Sequence, residues 1–150
     1  MKRKICTFAG HNDVPQEIRP LLAKEIERHI TELEITEFWV GNYGDFDRMA
    51  KAEVRKAKEK HPEIKLYLYV PYLPGEKVKL DSEGVDGIIF PEEMERVPKR
   101  FAIPRLNRYM SGQADSLIAY VSHVSGGAYK TLEYAKGRER KGQLTITNLA

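Results

Sequence analysis

The residues able to do chemistry gather where apolar runs end. Ser125-Gly126-Gly127-Ala128-Tyr129-Lys130-Thr131-Leu132-Glu133 follows the apolar run Ser116–Val121 and leads into an apolar-periodic segment. That order predicts a buried strand, a short loop to a glycine pair, and the start of a helix. Glycine lets the backbone approach a ligand closely, and the free N–H groups of a first helical turn point at it. Such a place suits a phosphate or carboxylate. Ala128, Lys130 and Thr131 fall in that first turn, where Lys130 offers a cation and Thr131 a hydroxyl. Glycine also serves packing alone in strand-to-helix turns, and the residues leave both roles open. Glu133, in the second turn, suits a hydrogen bond to a ribose hydroxyl or general acid–base work. It suits a surface pair with Lys130 or Arg140 equally well.

Two further turns carry polar groups. The first holds Gly10, His11, Asn12 and Asp13, and the second holds Gly41, Asn42, Tyr43, Gly44, Asp45 and Asp47. Asp13 and Asp45 stand where a side chain caps a helix, Asp13 with Pro15 at a first helical position. His11 follows a glycine at a strand end, a place suited to a ligand, and His123 is expected to face the same cleft. His29 and His61 are expected at the surface. No His, Cys, Asp or Glu spacing matches a zinc site, so no metal is expected. Walker A fails because Tyr129, not glycine, precedes Lys130. The first turn lacks G-x-G-x-x-G, which argues against a dinucleotide held in the Rossmann manner, and no G-x-S-x-G elbow is present. No cofactor is expected.

The elements that must position these groups alternate. Strands are predicted at Lys4–Ala9, Glu37–Val40, Ile64–Val70, Gly87–Phe90, Ser116–Val121 and Leu144–Thr147. Helices are predicted from Pro15 to Thr31, Asp45 to Lys60, Ile103 to Ala114, and Ala128 to Arg140. On the second helix Lys51, Arg55, Lys56, Lys58 and Lys60 read as a solvated face, and Pro71–Gly84 reads as an irregular loop. Alternation of this kind implies an α/β fold: a doubly wound, mostly parallel Rossmann-like sheet flanked by helices. Ligands of such sheets gather outside the carboxyl ends of the strands. The turns at Gly10, Gly41 and Gly126 are therefore expected to converge on one cleft.

The chain has 150 residues, 41% hydrophobic and 31% charged, with one cysteine. These values fit one globular domain over residues 1–150. No run reaches the roughly 20 apolar residues of a membrane span, and the lone Cys6 permits no intrachain disulfide. A cytoplasmic location is expected. The net charge of +3 conceals an uneven distribution, because residues 96–141 are net +7 and the remainder −4. That excess suits a phosphorylated small molecule or nucleic acid, although no aromatic residues alternate with it as in single-strand binders.

The succession Cys6–Asp13, Trp39–Asp47, Pro98–Ile103, Asn107–Met110, Ala114-Asp115 and Gly126–Lys130 resembles the short bacterial members of the SLOG superfamily. That group contains the DprA-type, LOG-type and YpsA-like proteins. The resemblance runs nearly the whole length of the chain and implies a Rossmann-like fold that binds nucleotides or their derivatives. LOG enzymes hydrolyse the base–ribose bond of cytokinin nucleotide monophosphates through a P-G-G-x-G-T-x-x-E motif. Gly126, Gly127 and Glu133 match it, making Glu133 the implied catalytic residue. Tyr129 stands at the third glycine and Lys130 at the threonine. The position of the LOG arginine is Leu106 here, flanked by Arg105 and Arg108. Asn12 replaces the arginine usual in short members. Both changes remove positive charge, which weighs against LOG-type hydrolysis more than against nucleotide binding.

The sequence thus leads first to a binder of a nucleotide-type small molecule, a sensor or sequestering module. Gly126, Gly127 and Lys130 would hold phosphate, and Gly10, His11, Asn12, Gly41, Asn42, Gly44 and Asp45 would line the base or ribose side. Arg105 or Arg108 would reach a second phosphate. A phosphoribohydrolase acting through Glu133 is the alternative, and a nucleic-acid-associated module of DprA type comes third. The resemblance also implies a homodimer.

Overall fold

Short β-branched and aromatic runs alternating with amphipathic helices form one six-stranded sheet in the computed structural model, which describes residues 2–73 and 80–150. The first half comprises β1 (Ile5–Gly10), α1 (Arg19–Thr31), β2 (Glu37–Val40), α2 (Asp45–Lys60) and β3 (Lys65–Tyr69). The second half comprises β4 (Gly87–Ile89), α3 (Lys99–Gln113), β5 (Ser116–Tyr120), α4 (Gly126–Arg140) and β6 (Thr145–Asn148). Of the loop expected over residues 71–84, residues 74–79 lie outside the described residues.

The strand order is β4-β3-β2-β1-β5-β6, and every neighbouring pair is parallel. The chain therefore winds outward from β1 to β4, then crosses back to add β5 and β6 on the other side. This is the doubly wound, Rossmann-like arrangement, and the order reverses between β1 and β5. In register, Cys6 sits opposite Phe38 on one side and Ser116 on the other.

A parallel sheet must bury both faces, and alternate residues supply them. Cys6, Phe8, Phe38, Val40, Leu66 and Leu68 pack with Leu22 and Ile26 of α1 and with Met49, Ala50 and Val54 of α2. Ile5, Ala9, Trp39, Tyr69, Leu117 and Ala119 pack with Ala102, Leu106 and Met110 of α3 and with Leu132 and Ala135 of α4. Each large side chain enclosed in this way contributes roughly 1.5–3 kcal/mol. Cys6 is fully enclosed, and burial pushes its thiol up to about 12. Among the described residues no helix is long and apolar enough to cross a membrane.

Several elements differ from expectation for identifiable reasons. The first helix opens with a single 3-10 turn, Gln16–Ile18, after Pro15, and becomes α-helical only at Arg19. Helix α3 starts at Lys99, four residues early, with Pro104 inside it. A proline in the first two turns removes only one interior hydrogen bond, so the helix runs through it. His29 is buried rather than exposed, because it continues the apolar stripe of Leu22 and Ile26. Its Nδ1 bonds the Glu25 carbonyl at 2.8 Å. Lys51 is also buried: its Nζ donates to the Asp81 carbonyl at 3.0 Å, and Arg55 pairs with the Asp81 carboxylate at 2.9 Å. These two cations hold the segment after residue 80 rather than facing solvent.

Candidate functional site

The turns leaving β1, β2 and β5 meet in a cleft of about 800 Å³ at the carboxyl ends of the strands. Gly10 is placed there by a close approach. A Cβ at this position would lie 2.3 Å from the ring of Phe46, which is itself fully buried. The first two turns are joined, since the Asp45 N–H donates to the Asn12 carbonyl at 2.8 Å. Gly44 has φ +99°, and a Cβ on it would strike Asn12. Glycine is needed at 44 on both counts.

The wall opposite is the N-terminus of α4. Ser125 precedes it in extended conformation, with φ −152° and ψ 160°, and no side chain caps the helix. Gly126 turns the chain at φ +89°, and nothing lies within 4 Å of a Cβ built on Gly126 or Gly127. Among the described residues no side chain or loop carbonyl accepts the N–H of Gly126, Gly127 or Ala128. Thr131 lines the same wall, its hydroxyl donating to the Gly127 carbonyl at 3.0 Å.

Between these walls lie two histidines. His11 Nε2 accepts the Ser122 N–H at 2.9 Å, which requires the Nδ1–H tautomer. The ring stacks on His123, with centroids 3.7 Å apart and planes 6° apart. Burial, and then the neighbouring His123, lower the pKa of His11. His123 Nδ1 lies 3.1 Å from Ser125 Oγ, so the pair links the first turn to the glycine loop.

Asp47, on the first turn of α2, lies half-buried against the cleft. Its Oδ2 accepts the Tyr43 N–H at 2.9 Å. Burial raises its carboxyl to about 6, against the smaller opposing effects of that bond and of Arg48 and Lys51. Arg48 is the one lysine or arginine lining the cleft among the described residues, and it is ion-paired with Asp45.

No family model matches the chain, and no curated protein matches it.

Of the residues expected at the site, Gly10, His11, Asn12, Gly41, Asn42, Gly44, Gly126, Gly127, Ala128 and Thr131 line the cleft together. The other five lie outside its lining. Asp45 begins α2 without capping it and engages Arg48, the cap position being Gly44. Arg105, Arg108 and Lys130 are exposed, with Arg108 stacked over Tyr134 at 4.9 Å. Glu133 is exposed and pairs with Lys136 at 3.2 Å. Helical phase explains its position: Thr131 faces inward, and two residues on is a rotation of about 200°. Leu106, where LOG enzymes carry arginine, does line the cleft, with an apolar side chain.

Sequence alone does not separate Asp47 from Asp45 as the cleft residue, because both open the same predicted helix. The available signal was the spacing of Phe46, Met49 and Ala50, which fixes the buried face of α2. Elsewhere, basic residues of the segment 96–141 are engaged structurally. The Arg138 guanidinium donates to the carbonyls of Ser111 and Ala114 at 2.6 and 2.9 Å, closing the end of α3. Among the described residues, no group of three or more His, Cys, Asp or Glu is placed to hold a metal ion.

Proposed function

We propose that the protein binds a nucleotide or nucleotide-derived ligand in this cleft, its phosphate at the N-terminus of α4. The observation carrying this reading is the uncapped helix start at Gly126-Gly127, with unfilled space above both glycines. Backbone N–H groups and the helix dipole stabilise an anion without a lysine or arginine. That fits a cleft in which the one arginine among the described residues is already paired. The volume of about 800 Å³ exceeds what a bare phosphate needs and lies in the range of nucleotide-sized sites. The position at the reversal of strand order supports the same reading, as does the resemblance of the motifs to the SLOG superfamily. Within it, the protein acts as a sensor or sequestering module and as a homodimer.

Binding without LOG-type hydrolysis is favoured by two placements. Glu133 faces solvent, and the position of the LOG arginine is Leu106. The deciding experiment incubates the purified protein with nucleoside monophosphates, ADP-ribose and cyclic nucleotides, then analyses filtrate and retained fraction by mass spectrometry. Intact ligand in the retained fraction is expected. Free base with ribose phosphate, abolished by Glu133→Gln, would establish the hydrolase instead. Sedimentation equilibrium tests the homodimer.

A further inference from the structure

Asp47 is a carboxylate of the cleft that a phosphate site does not account for. Phe46, fully buried against Gly10, fixes the first turn of α2 and leaves the next residue directed to the cleft. One carboxylate oxygen, Oδ2, takes the Tyr43 N–H. The other, Oδ1, has no protein hydrogen-bond or ion-pair partner among the described residues. The adjacent cations are committed elsewhere, Arg48 to Asp45 and Lys51 to Asp81. Gly41 makes the arrangement possible, since a Cβ there would stand 3.0 Å from Oδ2.

A half-buried carboxylate without a counter-ion costs a fold stability, and such groups concentrate where something is bound. An anion repels a phosphate, so the matching part of the ligand is a neutral donor. Sugar hydroxyls are such donors, and a charged acceptor bonds them about twice as strongly as a neutral one does. We propose that Asp47 is the sugar-binding residue of the cleft, with Oδ1 accepting a hydrogen bond from a ribose hydroxyl of the phosphorylated ligand. This rests on the nucleotide reading above and specifies that the ligand retains a free 2′- or 3′-hydroxyl.

The test is titration calorimetry of the whole chain with three probes. These are the four ribonucleoside 5′-monophosphates, their 2′,3′-dideoxy counterparts, and inorganic phosphate. Wild type is expected to prefer at least one ribonucleotide over its dideoxy form by about 10- to 100-fold, the worth of a hydrogen bond to a charged group. In Asp47→Asn, which keeps an acceptor for Tyr43, the preference falls to within about threefold while phosphate affinity holds or rises with the loss of a nearby negative charge. A full ribose preference in Asp47→Asn overturns the proposal, and so does wild type that binds both nucleotide forms equally.

Wild type that binds no nucleotide overturns the nucleotide reading as well, so the two failures are distinguishable. Wild type also supplies a test that needs no variant, because the preference should disappear as pH falls through about 6. Arg48 and Lys51 on α2, Tyr43 in the preceding turn, Asp13 and His11 in the turn after β1, and His123 in the loop after β5 act on both nucleotide forms alike. The ratio of affinities therefore isolates Asp47. A ratio constant from pH 8 to pH 5 overturns the proposal.

Discussion

The imidazoles of His11 and His123 stack 3.7 Å apart and nearly parallel, while His11 Nε2 accepts the Ser122 N–H. Protonating His11 would turn that acceptor into a donor facing another donor, beside a second imidazole. The pKa of His11 is accordingly below the usual histidine value, through burial first and His123 second. An NMR titration is expected to find it below 6.5, and His123→Ala to raise it. The unfolded chain takes up this proton first as pH falls. Stability from neutral His11 is therefore complete above pH 6.5 and declines below it, towards the folded pKa. A His11 titration at or above 6.5 would show that the Ser122 bond does not persist in solution.

Gly10→Ala is expected to destabilise the fold by about 1–3 kcal/mol, the usual cost of overpacking a filled core. The new methyl would meet Phe46 ring atoms at 2.3 Å, and Phe46 has no exposed side to retreat to. Urea denaturation should show a lower midpoint with an unchanged slope. A midpoint equal to wild type would mean that the β1 turn yields.

Gly127→Ala is expected to do the reverse. Its φ is not left-handed and a Cβ there meets nothing within 4 Å, so stability should be unchanged or rise by up to about 1 kcal/mol. The methyl occupies the space above the first turn of α4, and phosphate binding should weaken by tenfold or more, about 1.4 kcal/mol. Thermal denaturation and calorimetry on one preparation separate the two effects. Intact phosphate binding would place the anion elsewhere.

Asp47→Asn is expected to stabilise the protein at pH 8. Its folded pKa of about 6 lies above the unfolded value, so the folded chain binds the proton more tightly. Ionised Asp47 thus lowers stability as pH rises from about 4 through 6, by about 3 kcal/mol. The difference between variant and wild type should shrink towards pH 4. A difference independent of pH would mean that the carboxyl titrates normally.

The sheet was readable because each strand is a short apolar run ending in a turn residue, as at Gly10 and Gly41. Convergence of the three turns followed from the topology alone. What misled were single side chains whose setting depends on helical phase or on a distant partner. The helix expected from Ile103 begins at Lys99 and carries Pro104 inside it. Lys51 reads as solvated, yet Asp81, thirty residues on, draws it inward. Glu133 sits at the motif spacing of a catalytic glutamate, but Thr131, Leu132 and Ala135 occupy the inward face of α4. Charge density over residues 96–141 likewise says nothing of direction: Arg105, Arg108 and Lys130 share the segment without facing the cleft.

Cys6 gives the molecule a built-in clock. Its sulfur is enclosed in the central strand, between neighbours on both sides, and its thiol is pushed up to about 12. In the native state it offers alkylating reagents almost no thiolate and no path of approach. Labelling must wait for α1 and α2 to lift from the face of the sheet that carries Cys6, which opens the core on that side. The labelling rate of the unmodified protein in plain buffer therefore counts how often that half of the core opens. A ligand that bridges the turns after β1 and β5 would slow that count in proportion to how tightly it binds.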